Sequence, residues 1–226
     1  MIDMRTAMRK TLVAESVSIR VPDGQIDADL RVPENATGLV MFAHGSGSSR
    51  FSSRNRAVAE FLEEQGFATL LLDLLTRQEE SVDVYTRQFR FDIELLGRRV
   101  AFATDWTQKR IDIQPLPLGY FGASTGAAAA LIGAAEHPDI ARAVVSRGGR
   151  PDLAEDALRL VKAPTLLIVG GDDEPVIDMN QDAMRQMTSA RVELKIVPGA
   201  THLFEEPGTL EEAMRLAGDW FRTHLR

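Results

Sequence analysis

Along this chain the spacing of hydrophobic positions changes character. From Glu15 to Val21 and from Gln25 to Val32 polar and apolar residues alternate, and Pro22-Asp23-Gly24 separates the two runs. A period of two puts one set of side chains on one face of a pleated strand, and an Asp-Gly step supplies a tight turn, so an antiparallel hairpin is predicted. Further on, alternation gives way to unbroken apolar runs: Leu39 to Ala43, Ala68 to Leu72, Leu118 to Phe121 and Thr165 to Val169. Ala141 to Val145 is similar apart from Arg142, and Val192 to Val197 reads as the last strand. Runs too short for a helix and apolar throughout are expected where helices cover both faces of a parallel sheet.

Between the runs the period lengthens. Arg56 to Gln65 places Ala57, Val58, Phe61 and Leu62 on one stripe, and Gly66 stands where a helix end favours a left-handed residue. Phe91 to Gln108, the alanine-rich Thr125 to Glu136, Asp178 to Met187 and Thr209 to His224 complete the helices. Strand and helix in alternation predict an α/β fold: a mostly parallel central sheet of about eight strands, helices on both faces, and an N-terminal antiparallel hairpin. Arg77 to Gln88 is polar and without clear period, and is expected to be a surface loop. No repeat or linker divides the sequence, so residues 1–226 are expected to form one domain.

Composition narrows the function. The 226 residues are 44% hydrophobic, enough for one substantial core, and the formal charge of −7 opposes a nucleic-acid partner, which demands a basic face. There is no cysteine, which removes disulfides, thiolate metal sites and a cysteine nucleophile. Met1 to Lys10 lacks the apolar core of a signal peptide, and no run approaches the ~20 apolar residues of a membrane helix. A cytoplasmic protein with no membrane partner is the expectation, as monomer or homodimer.

Candidate chemistry centres on Gly122-Ala123-Ser124-Thr125-Gly126, which follows an apolar strand and opens a helix. A sharp strand-to-helix turn of this kind exposes a serine oxygen above the sheet and aims helix N-terminal amides at it. A serine there also serves as an ordinary N-cap. Catalysis requires a base and an acid later in the chain, in the order Ser, acid, His. Gly170-Gly171-Asp172-Asp173-Glu174 follows the Thr165 to Val169 strand, and His202 follows the last strand. Of the four histidines, His137 and His224 fall on helix ends and His44 precedes the acid loop, which leaves His202 as the base. Asp172 and Asp173 are both candidates for the acid. The loop His44-Gly45-Ser46-Gly47-Ser48-Ser49 offers amides for an oxyanion hole: Ser46, with Gly45 as the alternative, beside the amide of Thr125. His44 itself is expected to brace that loop.

With these residues in place the chain resembles the α/β-hydrolase superfamily over nearly its whole length, and more narrowly the dienelactone-hydrolase-like branch of small hydrolases without a large lid. The resemblance rests on His44 to Arg50, Asp73, Gly122 to Gly126, Ser146 to Pro151, Gly170 to Val176 and Gly199 to His202. It implies Asp173 as the acid, because Gly170, Asp173 and Val176 match the family's G-x-x-D-x-x-V. The sequence departs from dienelactone hydrolases proper in carrying serine where they carry cysteine, which points towards a carboxylesterase-like relative.

Arg147 and Arg150 flank Gly148-Gly149 just after a strand, at the edge expected to carry the site. With His44 they are candidate substrate-binding residues, a carboxylate or polarised carbonyl being the ligand. A loop ion pair with Asp152 or Asp173 is the simpler role for either arginine, and Arg50 and Arg54 raise the same question. The reaction expected is hydrolysis of an ester or lactone of a small molecule through an acyl-enzyme, with no metal or organic cofactor. An amidase or perhydrolase would use the same residues. A non-catalytic ligand-binding protein of this fold would be expected to lack one of the three.

Overall fold

The computed structural model describes residues 12–225; the Met1 to Lys10 stretch lies outside the described residues. One eight-stranded sheet organises the chain, in the order β1-β2-β4-β3-β5-β6-β7-β8. The hairpin strands β1 (Leu12–Val21) and β2 (Gly24–Pro33) are antiparallel, with Val21 opposite Gly24, so Pro22 and Asp23 alone form the turn. β2 pairs antiparallel with β4 (Ala68–Leu72). From β4 onward every pairing is parallel, through β3 (Leu39–Ala43), β5 (Leu118–Ala123), β6 (Ala141–Arg147), β7 (Thr165–Gly170) and β8 (Val192–Val197).

Helices cover both faces. On one lie α1 (Ser53–Glu64) and α6 (Thr209–His224), packing Val58, Leu62, Ala217 and Phe221 on Val40, Phe42 and Phe121. On the other lie α3 (Ile93–Thr107), α4 (Thr125–Glu136), α5 (Glu174–Gln186) and a 3-10 segment, Pro151–Leu160. Each central strand thus buries both of its side-chain rows, which is why β3, β4, β5 and β7 read as continuous apolar runs. α1 starts three residues earlier than its stripe suggests, because Ser52 caps it by accepting from the Asn55 amide. Gly66 takes φ +90° just beyond its end.

One expectation is corrected. Arg77 to Gln88 is not a loop but largely a helix, α2 (Arg77–Thr86). Its signal is a capping box: the Thr76 hydroxyl accepts from the Glu79 amide, and the Thr76 amide donates to Glu79 at 2.7 Å. It shows no apolar stripe because its one buried residue is Asp83, whose carboxylate accepts from the Phe89 and Arg90 amides and from Arg90 Nε. A helix anchored by a carboxylate has no hydrophobic period to read.

Candidate active site

Strand β5 ends at Ala123 and α4 begins at Thr125, leaving Ser124 alone to reverse the chain at φ 52° and ψ −125°. Such a backbone is costly for a residue with a Cβ and persists only when its surroundings hold it. Here the Ser124 amide donates to the Arg147 carbonyl, and the Ser124 carbonyl accepts from the Ala127 and Arg150 amides. The flanking glycines have steric reasons. A Cβ on Gly122 would lie 2.4 Å from Ala127 Cα, and one on Gly126 would lie 2.3 Å from the Ala43 carbonyl oxygen. The turn can therefore pack tightly against β3 only as G-x-S-x-G.

Ser124 makes no capping hydrogen bond to α4. Its Oγ lies 3.2 Å from Nε2 of His202, and Nδ1 of His202 lies 2.7 Å from Asp173 Oδ2. Because a carboxylate only accepts, the imidazole carries its proton on Nδ1, and Nε2 is left to accept from the serine. Asp173 sits at the β7 end with its side chain largely enclosed, while neighbouring Asp172 is exposed and bonds only through its amide, to Ala200. Of the two aspartates, the fold brings only Asp173 to the histidine. The acid and histidine loops touch because Gly170 has no side chain: a Cβ there would be 2.3 Å from the Ala200 carbonyl oxygen. The His202 loop is fastened from below by Glu206, which accepts from the Thr201 amide and hydroxyl, an arrangement that holds its carboxyl below the ordinary range.

The loop after β3 completes the site. His44 is buried; its Nδ1 donates to the Gly45 carbonyl at 2.9 Å and its Nε2 accepts from the Leu74 amide at 3.2 Å. Burial lowers its pKa, so it braces the loop as a neutral ring. Gly45 passes close over the serine, where a Cβ would meet Ser124 Cβ at 3.0 Å. The Ser46 amide donates to Thr125 Oγ1 at 2.8 Å. On its far side Gly47 rests on Arg90, which is held by the buried Asp83. Nothing in the local sequence around Arg90 marks this support, and Asp92 two residues on is the N-cap of α3.

Three arginines of the sequence reading are ion-paired: Arg150 with Asp152, Arg50 with Asp73, and Arg54 with Glu205. Arg147 is different. It is 5% exposed, has no carboxylate partner among the described residues, and lies over the Phe204 ring at 5.5 Å. Burial, with Arg54 nearby, pushes its pKa down to about 10. Beside the His44 loop is a cleft of about 570 Å³ walled by Phe51, Leu75 and Val84, with Arg50, Asp73 and Arg77 among its polar lining.

Residues 26–224 match the family described as the dienelactone hydrolase family. The chain belongs to that family. Like it in sequence and shape is a dienelactone hydrolase from Anabaena variabilis ATCC 29413, known from a crystal structure: 56% identity, a TM-score of 0.93, and coverage of 95% of this chain and 99% of that one. A Mycobacterium tuberculosis protein named "Putative phosphoribosyl transferase" is also 56% identical, over 211 residues that make up 93% of this chain and 46% of that protein. The chain thus spans about half the length of the curated relatives it matches first. Est1E from Butyrivibrio proteoclasticus shares the fold at 18% identity and a TM-score of 0.76, covering 92% of this chain and 98% of that one. The α/β-hydrolase fold expected from the motifs is the fold of this dienelactone hydrolase family member. No helix among the described residues is long and apolar enough to cross a membrane.

Proposed function

We propose that the protein is a serine hydrolase that cleaves a carboxylic ester, or a related acyl bond, of a small molecule. The observation that carries this reading is the line of contacts from Ser124 Oγ to His202 Nε2 at 3.2 Å and from His202 Nδ1 to Asp173 at 2.7 Å. In the proposed reaction His202 takes the serine proton as Oγ bonds to the carbonyl carbon. Asp173 holds the ring in its Nδ1–H form and stabilises the imidazolium. The tetrahedral oxyanion is received by the start of α4 and the His44 loop. Its collapse expels the alcohol, which takes the proton from His202. Water, deprotonated by the same ring, then cleaves the acyl-enzyme and restores the serine. The cleft of about 570 Å³ lies on the far side of the His44 loop and is not lined by Ser124, Asp173 or His202, so it carries no part of this reading. A lactone or amide would follow the same steps. The transferase name belongs to a relative of which this chain matches 46%, and our reading rests on the contacts within this chain.

Labelling with a fluorophosphonate tests the reading. The wild type is expected to label, and Ser124→Ala and His202→Ala to lose labelling and ester hydrolysis. Asp173→Asn should lower hydrolysis by about 10³–10⁴-fold while Asp172→Asn leaves it near wild type. A folded wild type that does not label, or labelling that survives Ser124→Ala, overturns it.

A further inference from the structure

Thr125 presents a hydroxyl whose proton has no use in the resting fold. Its Oγ1 accepts the Ser46 amide at 2.8 Å, and no acceptor for its own proton occurs among the described residues. The residue is 6% exposed and directly follows the nucleophile. Its amide, at the first position of α4, also has no intrahelical partner. One residue thus carries two unused donors directly after Ser124, and its hydroxyl oxygen is fixed against the Ser46 amide of the loop that passes over the serine.

An oxyanion hole needs donors about 2.7–3.1 Å from the oxygen as charge develops on it. The expectation from sequence has the Ser46 amide in direct contact with that oxygen. In the fold the Thr125 hydroxyl already occupies the position in front of the Ser46 amide. For Ser46 to act directly, a side chain stiff at χ1 must swing away and leave its hydroxyl buried without its partner.

We infer that the Thr125 side chain is itself an oxyanion donor: Oγ1–H donates to the tetrahedral oxygen beside the Thr125 amide, and the Ser46 amide acts behind it by polarising that hydroxyl. Chained donors strengthen one another at a site shielded from water, and this arrangement breaks no bond of the resting fold. The inference rests on the serine-hydrolase reading above and adds a catalytic group to it.

Thr125→Val, Thr125→Ala and Thr125→Ser separate the possibilities, read as kcat and KM for 4-nitrophenyl butyrate and as the rate of fluorophosphonate labelling. Thr125→Val keeps the side-chain shape and removes the donor. It is expected to lower kcat and the labelling rate by about 100-fold or more with KM little changed, whereas Thr125→Ser retains most of the rate. Thr125→Ala should match the valine variant and covers the case in which valine disturbs folding. A Thr125→Val enzyme as fast as wild type, or faster, overturns the inference, since the Ser46 amide would then be acting directly. In that case wild type still labels and the serine-hydrolase reading stands. A folded wild type that fails to label fells both.

Discussion

Arg147 shows how much a single position can conceal. In sequence it is one of two arginines around a Gly-Gly step, equivalent to Arg150 in every visible respect. The fold separates them. Arg150 lies on the loop and pairs with Asp152, while Arg147 is the last residue of β6 and turns inward beneath Phe204. A cation there has given up water without gaining a carboxylate, and its fully enclosed Nε has no hydrogen-bond partner. Arg147→Met keeps length and the contact with the ring while removing the buried charge. It is expected to leave stability unchanged or raise it, by about 1–3 kcal/mol in urea unfolding. A loss of stability would show that stacking on Phe204 outweighs the desolvation of the guanidinium.

At the scale of elements, periodicity identified what packing later used. The hairpin, the parallel strands, α4 and α6 were legible because each has a face, or two, to bury, and burial imposes a period. α2 was not, since it is held by a capping box and by Asp83. Closeness between elements was also hidden. Gly97 of α3 and Gly133 of α4 read as weak points in two helices, yet a Cβ on Gly97 would lie 2.4 Å from Ile132 Cγ2 and one on Gly133 would lie 2.5 Å from Val100 Cγ1. The two helices meet glycine against branched side chain, twice. Helix propensity alone favours Gly97→Ala by about 1 kcal/mol, but overpacking costs about 1–3 kcal/mol against a stiff β-branched neighbour. The variant is therefore expected to melt at a lower temperature than wild type in a thermal scan.

For the whole molecule, the response to pH follows from what is buried. His44 is held below its ordinary 6.5 by desolvation, so the unfolded chain takes up a proton near that pH while the folded one does not. Its contribution to stability is accordingly present above 6.5 and is lost as pH falls below 6.5 and through the folded value. His224 is lowered as well and adds to the same slope. Unfolding free energies measured by urea from pH 7 down to about pH 5 should decline in wild type and decline less in His44→Gln, in which His224 remains. Parallel slopes would show that His44 is not the group responsible.

The sequence by itself determined the order of the strands and of every α-helix but α2, the turn that carries Ser124 and the chain order of serine, acid and histidine. These are local or periodic properties, written in residues that are neighbours or that share one face. Tertiary structure decided the rest. It brought the Asp173 carboxylate, and not that of Asp172, to His202 Nδ1, where the loops close against each other at Gly170. It buried Arg147 and left Arg150 half-buried and paired with Asp152. It also set the Thr125 hydroxyl before the Ser46 amide, joining residues 79 positions apart. Which of several similar groups meets a partner depends on how separate loops converge at one edge of the sheet, and no local pattern carries that distance.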